Sequence, residues 1–244
     1  MFGGSNKGYK FEIFSVSHLC VIGLFILGTI FLYVFREYLR KRHMRRTEMG
    51  VALSLILAES VYHVWMISTG MWNVSHALPL ELCSISLILT IILLFSQNRF
   101  VYEVLFFTGL LGASQALLTP LLYFDFPHVR FLHFFYTHMM IIWVPLYFTW
   151  VYGYRPTIFS CLKLLVTLNV LIPFIILVNK LTEGNYMFLS HKPETDSLLD
   201  FLGPYPWYIF SLEGLLISLS LILWLLFRER PAKKHVREEK EISQ

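Results

Sequence analysis

Leu78-Pro79-Leu80-Glu81-Leu82-Cys83-Ser84-Ile85 opens an apolar run that continues to about residue 96. It brings a carboxylate, a thiol and a hydroxyl within a turn or two of one another at the head of that run. A helix needs about 20 apolar residues to cross a hydrocarbon core of about 30 Å. Runs close to that length recur along the chain, at about 17–35, 49–69, 78–96, 101–123, 131–152, 157–179 and 205–227. The composition agrees: 56% of residues are hydrophobic, mean hydropathy is +0.61 and only 15% are charged. A soluble globular domain carries roughly a quarter charged residues. The predicted fold is therefore all-α, a polytopic membrane helical bundle of about seven transmembrane helices. Residues 1–229 form one domain, followed by a polar tail at 230–244.

Charge sets the expected orientation. The link from Arg36 to Arg46 holds Arg36, Arg40, Lys41, Arg42, Arg45 and Arg46, and the end of the chain carries Arg228, Arg230, Lys233, Lys234, Arg237 and Lys240. Basic residues near span ends favour the cytoplasmic side. Seven spans place both groups there, with Arg99 and Arg155, the N-terminus outside and the C-terminus cytoplasmic. The expected location is the cell membrane, multi-pass. The basic face suits anionic lipid headgroups, whereas nothing in the pattern suits nucleic acid. No cleavable signal is apparent before the first run, which is expected to serve as the insertion signal. The short links near 96–101 and 152–157 predict antiparallel hairpins. The long link at 180–204 is rich in aromatics and is expected to fold back over the outer mouth, with Trp207 and Tyr208 at the interface.

Polar side chains inside hydrocarbon are costly unless paired, so they turn toward the bundle interior. Glu59 and His63 stand i,i+4 on one face of the second span, spaced for a proton relay or a structural pair. Cys83, Ser86 and Thr90 form a stripe that also suits close helix packing. Gln115 and Thr119 precede Pro120, a potential kink, and Asn169 precedes Pro173. In Arg130-Phe-Leu-His-Phe-Phe-Tyr-Thr-His138, Arg130, His133 and Thr137 share a face, with His138 about a quarter-turn away. Glu213 lies a comparable distance into the seventh span.

Cys20, Cys83 and Cys161 all sit in apolar runs without paired spacing, so neither disulfides nor a thiolate metal site is expected. A buried cysteine usually acts as a small hydrophobe. It becomes a nucleophile when a base takes its proton. His138 or His133 could be that base, Glu81 or Glu59 could orient it, and Gln115, Asn185 or a tyrosine could donate to an oxyanion. No metal-binding spacing such as HExxH is present, and no Gly-rich phosphate loop points to a nucleotide or coenzyme; no cofactor is expected.

The block at Leu78–Ile85, the segment from Arg130 to Pro145, Gly184-Asn-Tyr-Met-Phe-Leu189 and Leu199-Asp-Phe-Leu-Gly-Pro-Tyr-Pro-Trp-Tyr208 together resemble the YwaF-type bacterial integral membrane proteins. The resemblance covers about residues 10 to 228. That group is related to the vertebrate transmembrane protein 164 family, cysteine-dependent acyltransferases acting on ether lysophospholipids. The resemblance implies seven spans with an acyl-carrying cysteine on the third and a histidine on the fifth. These positions are Cys83 and His138, with His133 as the competing alignment. Glu81 departs from the pattern, because His or Gln is expected there in many relatives. The implied activity is a coenzyme A-independent phospholipid transacylase at the outer leaflet, with phospholipids and lysophospholipids as partners. The alternative is a non-catalytic lipid- or solute-binding protein or transporter using Glu59, His63, His138 and Glu213. Neither reading specifies an oligomeric state.

Overall fold

Most of the apolar runs fold as single helices, several of them with starts fixed by local polar groups. The structure is a computed structural model describing residues 1–4, 10–193 and 198–229. The polar tail expected at 230–244 lies outside the described residues. The helices are α1 (Val16–Val34), the short α2 (Arg36–Arg40), α3 (Arg45–Ser68), α4 (Leu82–Ser96), α5 (Arg99–Thr108), α6 (Ser114–Leu118), α7 (Val129–Trp150), α8 (Ile158–Thr182) and α9 (Trp207–Phe227). A π-helical turn, Gly109–Ala113, joins α5 to α6. Among the described residues there is no β-strand, only an isolated bridge between Lys10 and Phe124.

Side-chain caps explain several starts. Ser15 accepts from the His18 N–H, Asn98 from Phe100 and Val101, and His128 from Arg130, while Thr157 and Ser160 form a capping box. Gln97 and Glu183 end α4 and α8 in the left-handed conformation. Arginines from the basic link satisfy carbonyls at other helix ends. Arg40 donates to the carbonyls of Trp150 and Val151 at 3.0 and 3.1 Å, and Arg45 donates to those of Leu94 and Phe95. The basic link thus gathers the last turns of α4 and α7 at one end of the bundle.

Among the described residues, six helical segments are long and apolar enough to cross a membrane: α1, α3, α5 through α6, α7, α8 and α9. The apolar α4 is shorter, at 15 residues, or roughly 22 Å. The run beginning at Leu78 does not enter the helix until Leu82, so four residues counted in the span are irregular backbone.

α7 is the hub and packs against α1, α3, α4, α5, the π turn and α6. Pairs along its length give directions. Tyr102 meets Thr149 while Gly109 meets Ile141, so α5 and the π turn run antiparallel to α7. Glu59 meets His133 while Glu48 meets Tyr147, so α3 is antiparallel to it as well. The expected hairpin forms between α4 and α5. Beyond the link at 152–157, however, α8 packs on α5 and α9 rather than along α7.

Two further expectations are corrected. Pro120 kinks nothing, because α6 has already ended at Leu118, and α8 continues as one helix through Pro173. The interruption lies instead at the π turn. In the long link, Trp207 is exposed, but Tyr208 is fully buried and its hydroxyl donates to the Phe188 carbonyl.

Candidate functional site

Cys83 occupies the second position of α4, directly after Glu81 and Leu82. Among the described residues, no side chain caps the first N–H groups of this helix. Glu81, which stands at the cap position, instead accepts the Met187 N–H at 3.0 Å. The free N–H groups and the positive end of the helix dipole therefore remain directed at the neighbourhood of Cys83.

The loop that Glu81 holds closes over this end of α4. Asn179 clamps the Tyr186 backbone through both amide atoms, accepting from its N–H at 2.8 Å and donating to its carbonyl at 3.1 Å. The Tyr186 hydroxyl donates to the Val74 carbonyl at 2.7 Å and accepts from the Leu78 N–H at 2.9 Å. Gly184 lies so close to Ser75 that a Cβ would come within 2.6 Å of its carbonyl oxygen. These contacts satisfy the irregular backbone ahead of α4 with protein partners, a condition for non-helical chain at membrane depth.

Across from Cys83 runs the π turn. A Cβ on Gly112 would lie 3.9 Å from the Cys83 Sγ, and one on Gly109 would lie 2.6 Å from the Ile141 carbonyl oxygen of α7. Because the two segments run antiparallel, the step from Gly109 to Gly112 matches the step from Ile141 back to His138. Cys83, Gly112 and His138 thus share one level, with the bare glycine backbone between α4 and α7. His138 is nine residues past the start of α7 and Cys83 one past the start of α4, so α4 begins roughly 12 Å further along the bundle than α7 does.

His138 is buried and stacked on Phe134, with ring centroids 4.1 Å apart. Its Nδ1 lies 2.7 Å from the Phe134 carbonyl. A carbonyl only accepts, so the proton is on Nδ1 and the Nε2 lone pair is free in the neutral ring. Cys83 and His138 are not hydrogen-bonded to each other.

The competing histidine is committed elsewhere. His133 Nε2 lies 2.8 Å from the Glu59 Oε2, and His63 Nε2 lies 3.3 Å from the other oxygen. Glu59 therefore orients His133 and His63, and Glu81 orients no histidine. Of the candidate oxyanion donors, Gln115 is exposed, and Asn185 spends its side chain on Ser190 and His191 within its own loop. Ser86 and Thr90 are fully buried, Ser86 donating to Thr108 at 2.9 Å and Thr90 to the Ser86 carbonyl at 2.7 Å, as a packing stripe requires. Glu213 accepts from Asn169 on the α8–α9 face.

Features absent from the sequence reading are the π turn with its two glycines and the uncapped start of α4. The spacing Gly109-Leu-Leu-Gly112-Ala113 carried the signal, since small residues admit close backbone approach between membrane helices. Glu48 was also missed. It is buried and accepts from Tyr147, Tyr152, Gln97 and Arg45, fastening the opposite end of the bundle.

A sequence model of the TMEM164 family matches residues 13–224. No curated protein and no solved structure matches the chain.

Proposed function

The chain belongs to the TMEM164 family of membrane proteins, and from that premise we propose that it is a cysteine-dependent phospholipid transacylase. In this reading α4 is the third of seven crossings, the N-terminus lies outside and the C-terminus in the cytoplasm. The submerged start of α4 then opens within the outer leaflet of the cell membrane. The observation that carries the reading is Cys83 at an uncapped helix start, level with a histidine whose Nδ1–H is already fixed.

The reaction follows from those groups. His138 Nε2 takes the Cys83 proton, directly on substrate entry or through one water. The thiolate attacks an ester carbonyl of the donor phospholipid, forming a C–S bond. First-turn N–H groups of α4 are the nearest preorganised donors for the resulting oxyanion. The ester C–O bond breaks, and the lysophospholipid leaves with the proton returned by His138. An acceptor hydroxyl then gives its proton to Nε2 and attacks the thioester. The C–S bond breaks and the thiol is restored. No coenzyme is consumed.

The test uses purified protein with acyl-labelled phospholipid and a lysophospholipid acceptor. Wild type is expected to form a hydroxylamine-sensitive acyl adduct, and Cys83→Ser to lose both adduct and transfer while keeping its melting profile. Undiminished transfer by Cys83→Ser sinks the proposal.

A further inference from the structure

Arg130 stands two turns before His138 on α7, and among the described residues no carboxylate hydrogen-bonds to it, although the Glu59 charge acts on it. It sits half-buried in the first turn of α7, with its guanidinium 4.6 Å from the Tyr62 ring centre and 5.5 Å from that of Phe134. Its Nη1 lies 3.4 Å from the His133 Nδ1. That nitrogen is an acceptor, because His133 donates its other N–H to Glu59. One of five guanidinium N–H groups is placed in this way. Among the described residues, no carboxylate lies within 4.0 Å of Arg130; Glu59 is occupied by the two histidines.

The placement is also unfavourable for α7 alone, since a cation in the first turn faces the positive end of its own helix dipole. An arriving anion reverses that balance, with guanidinium and helix end acting together. The aromatic faces and His133 meanwhile hold the guanidinium in a fixed plane, the arrangement that suits bidentate binding of a phosphate.

Phe134 contacts both Arg130 and His138, so guanidinium and imidazole stand no more than about 10 Å apart. In a glycerophospholipid, five bonds of roughly 1.5 Å join phosphorus to the nearer ester carbonyl carbon, a reach of roughly 6 Å. The lengths match a lipid whose phosphate lies on Arg130 while an ester descends toward His138 and Cys83.

We propose that Arg130, held by Tyr62 and the Glu59–His133 pair, binds the phosphodiester of the lipid substrate and thereby selects phospholipids over uncharged acylglycerols. This rests on the lipid-substrate reading of the site. The binding test is run on full-length Cys83→Ala protein in detergent, where no acyl transfer can occur, so it stands or falls apart from the chemistry. The probes are a fluorescent phosphatidylethanolamine, a diacylglycerol with the same chains, and inorganic phosphate as competitor.

The phospholipid is expected to bind at least about tenfold more tightly than the diacylglycerol. Arg130→Gln should remove that preference by weakening the phospholipid alone. Millimolar inorganic phosphate should leave the lipid bound. Parity of the two lipids on the parent protein, an unchanged preference in Arg130→Gln, or displacement by inorganic phosphate would each overturn the assignment. If Arg130→Gln loses its native melting profile, Arg130→Lys decides: it keeps the charge but not the planar fork. Weaker phospholipid binding with unchanged diacylglycerol binding supports the proposal, and parity with the parent overturns it.

Discussion

His133 gives its Nε2 proton to Glu59 across 2.8 Å, whereas His138 gives its Nδ1 proton to the carbonyl of Phe134 and keeps Nε2 open. Two histidines five residues apart on one helix therefore have different chemistry available. His138→Ala is expected to lower acyl transfer by about 10²-fold or more, the usual contribution of a general base. His133→Phe leaves Glu59 short of its best donor and should lower stability by about 1–3 kcal/mol. Its transfer rate should fall far less than that of His138→Ala. Steady-state transfer and thermal unfolding of both variants check the division.

The two glycines of the π turn should respond differently to a single methyl group. At Gly109 a Cβ would press to 2.6 Å from the Ile141 carbonyl oxygen, so Gly109→Ala must part the π turn from α7, at a cost of about 1–3 kcal/mol. At Gly112 the nearest atoms to a Cβ are Leu82 Cδ2 at 3.7 Å and Cys83 Sγ at 3.9 Å, both ordinary contacts. Gly112→Ala should leave the melting temperature nearly unchanged, and Gly112→Leu should press on Leu82 and Cys83 and slow alkylation of Cys83. Differential scanning and timed iodoacetamide labelling distinguish the two positions.

Much of this arrangement was legible in the chain, and the rest has physical reasons for being hidden. Apolar runs of about 20 residues mark the long helices because length and hydropathy are local properties. The true start of α4 is not local. Leu78, Pro79 and Leu80 extend the apolar run ahead of the helix, and the Leu78 N–H finds its acceptor in Tyr186, more than a hundred residues later. The i,i+4 pairing of Glu59 with His63 could be read from spacing, but the capture of His133 by the same carboxylate spans 74 residues. Gln115 is a candidate oxyanion donor by residue type and by its place in an apolar run. The π turn changes the register of everything after it, and Gln115 emerges exposed.

Glu81 links the loop at 184–193 to the helix that carries Cys83. Glu81→Gln keeps an acceptor for the Met187 N–H and removes a charge from beside the thiol. Cys83 should then react faster with iodoacetamide while the loop stays protected. Glu81→Ala loses the acceptor as well, so limited proteolysis within 184–193 should accelerate. Equal protease resistance in Glu81→Ala and wild type would show that the Met187 contact does not hold the loop.

The start of α7 carries a pH dependence of its own. His128 accepts the Arg130 N–H on Nδ1 at 3.1 Å and donates from Nε2 to the Gly3 carbonyl at 3.0 Å, so both nitrogens are used by the neutral ring. Burial pushes its pKa below the ordinary 6.5, outweighing the Gly3 bond, which acts in the opposite direction. The folded state therefore binds this proton less readily than the unfolded chain. The stabilisation is fully present above about pH 6.5 and is lost as the pH falls through the depressed folded value. Protonation would also set an Nδ1–H against the Arg130 N–H, removing the cap from the helix that carries Arg130, His133 and His138. His128→Asn retains a capping acceptor without a titrating ring. Its melting temperature should fall less between pH 7 and pH 5 than that of wild type, as measured in matched buffers (roughly, the range bracketing the free imidazole). Parallel pH profiles for the two proteins would assign the acid sensitivity to other groups.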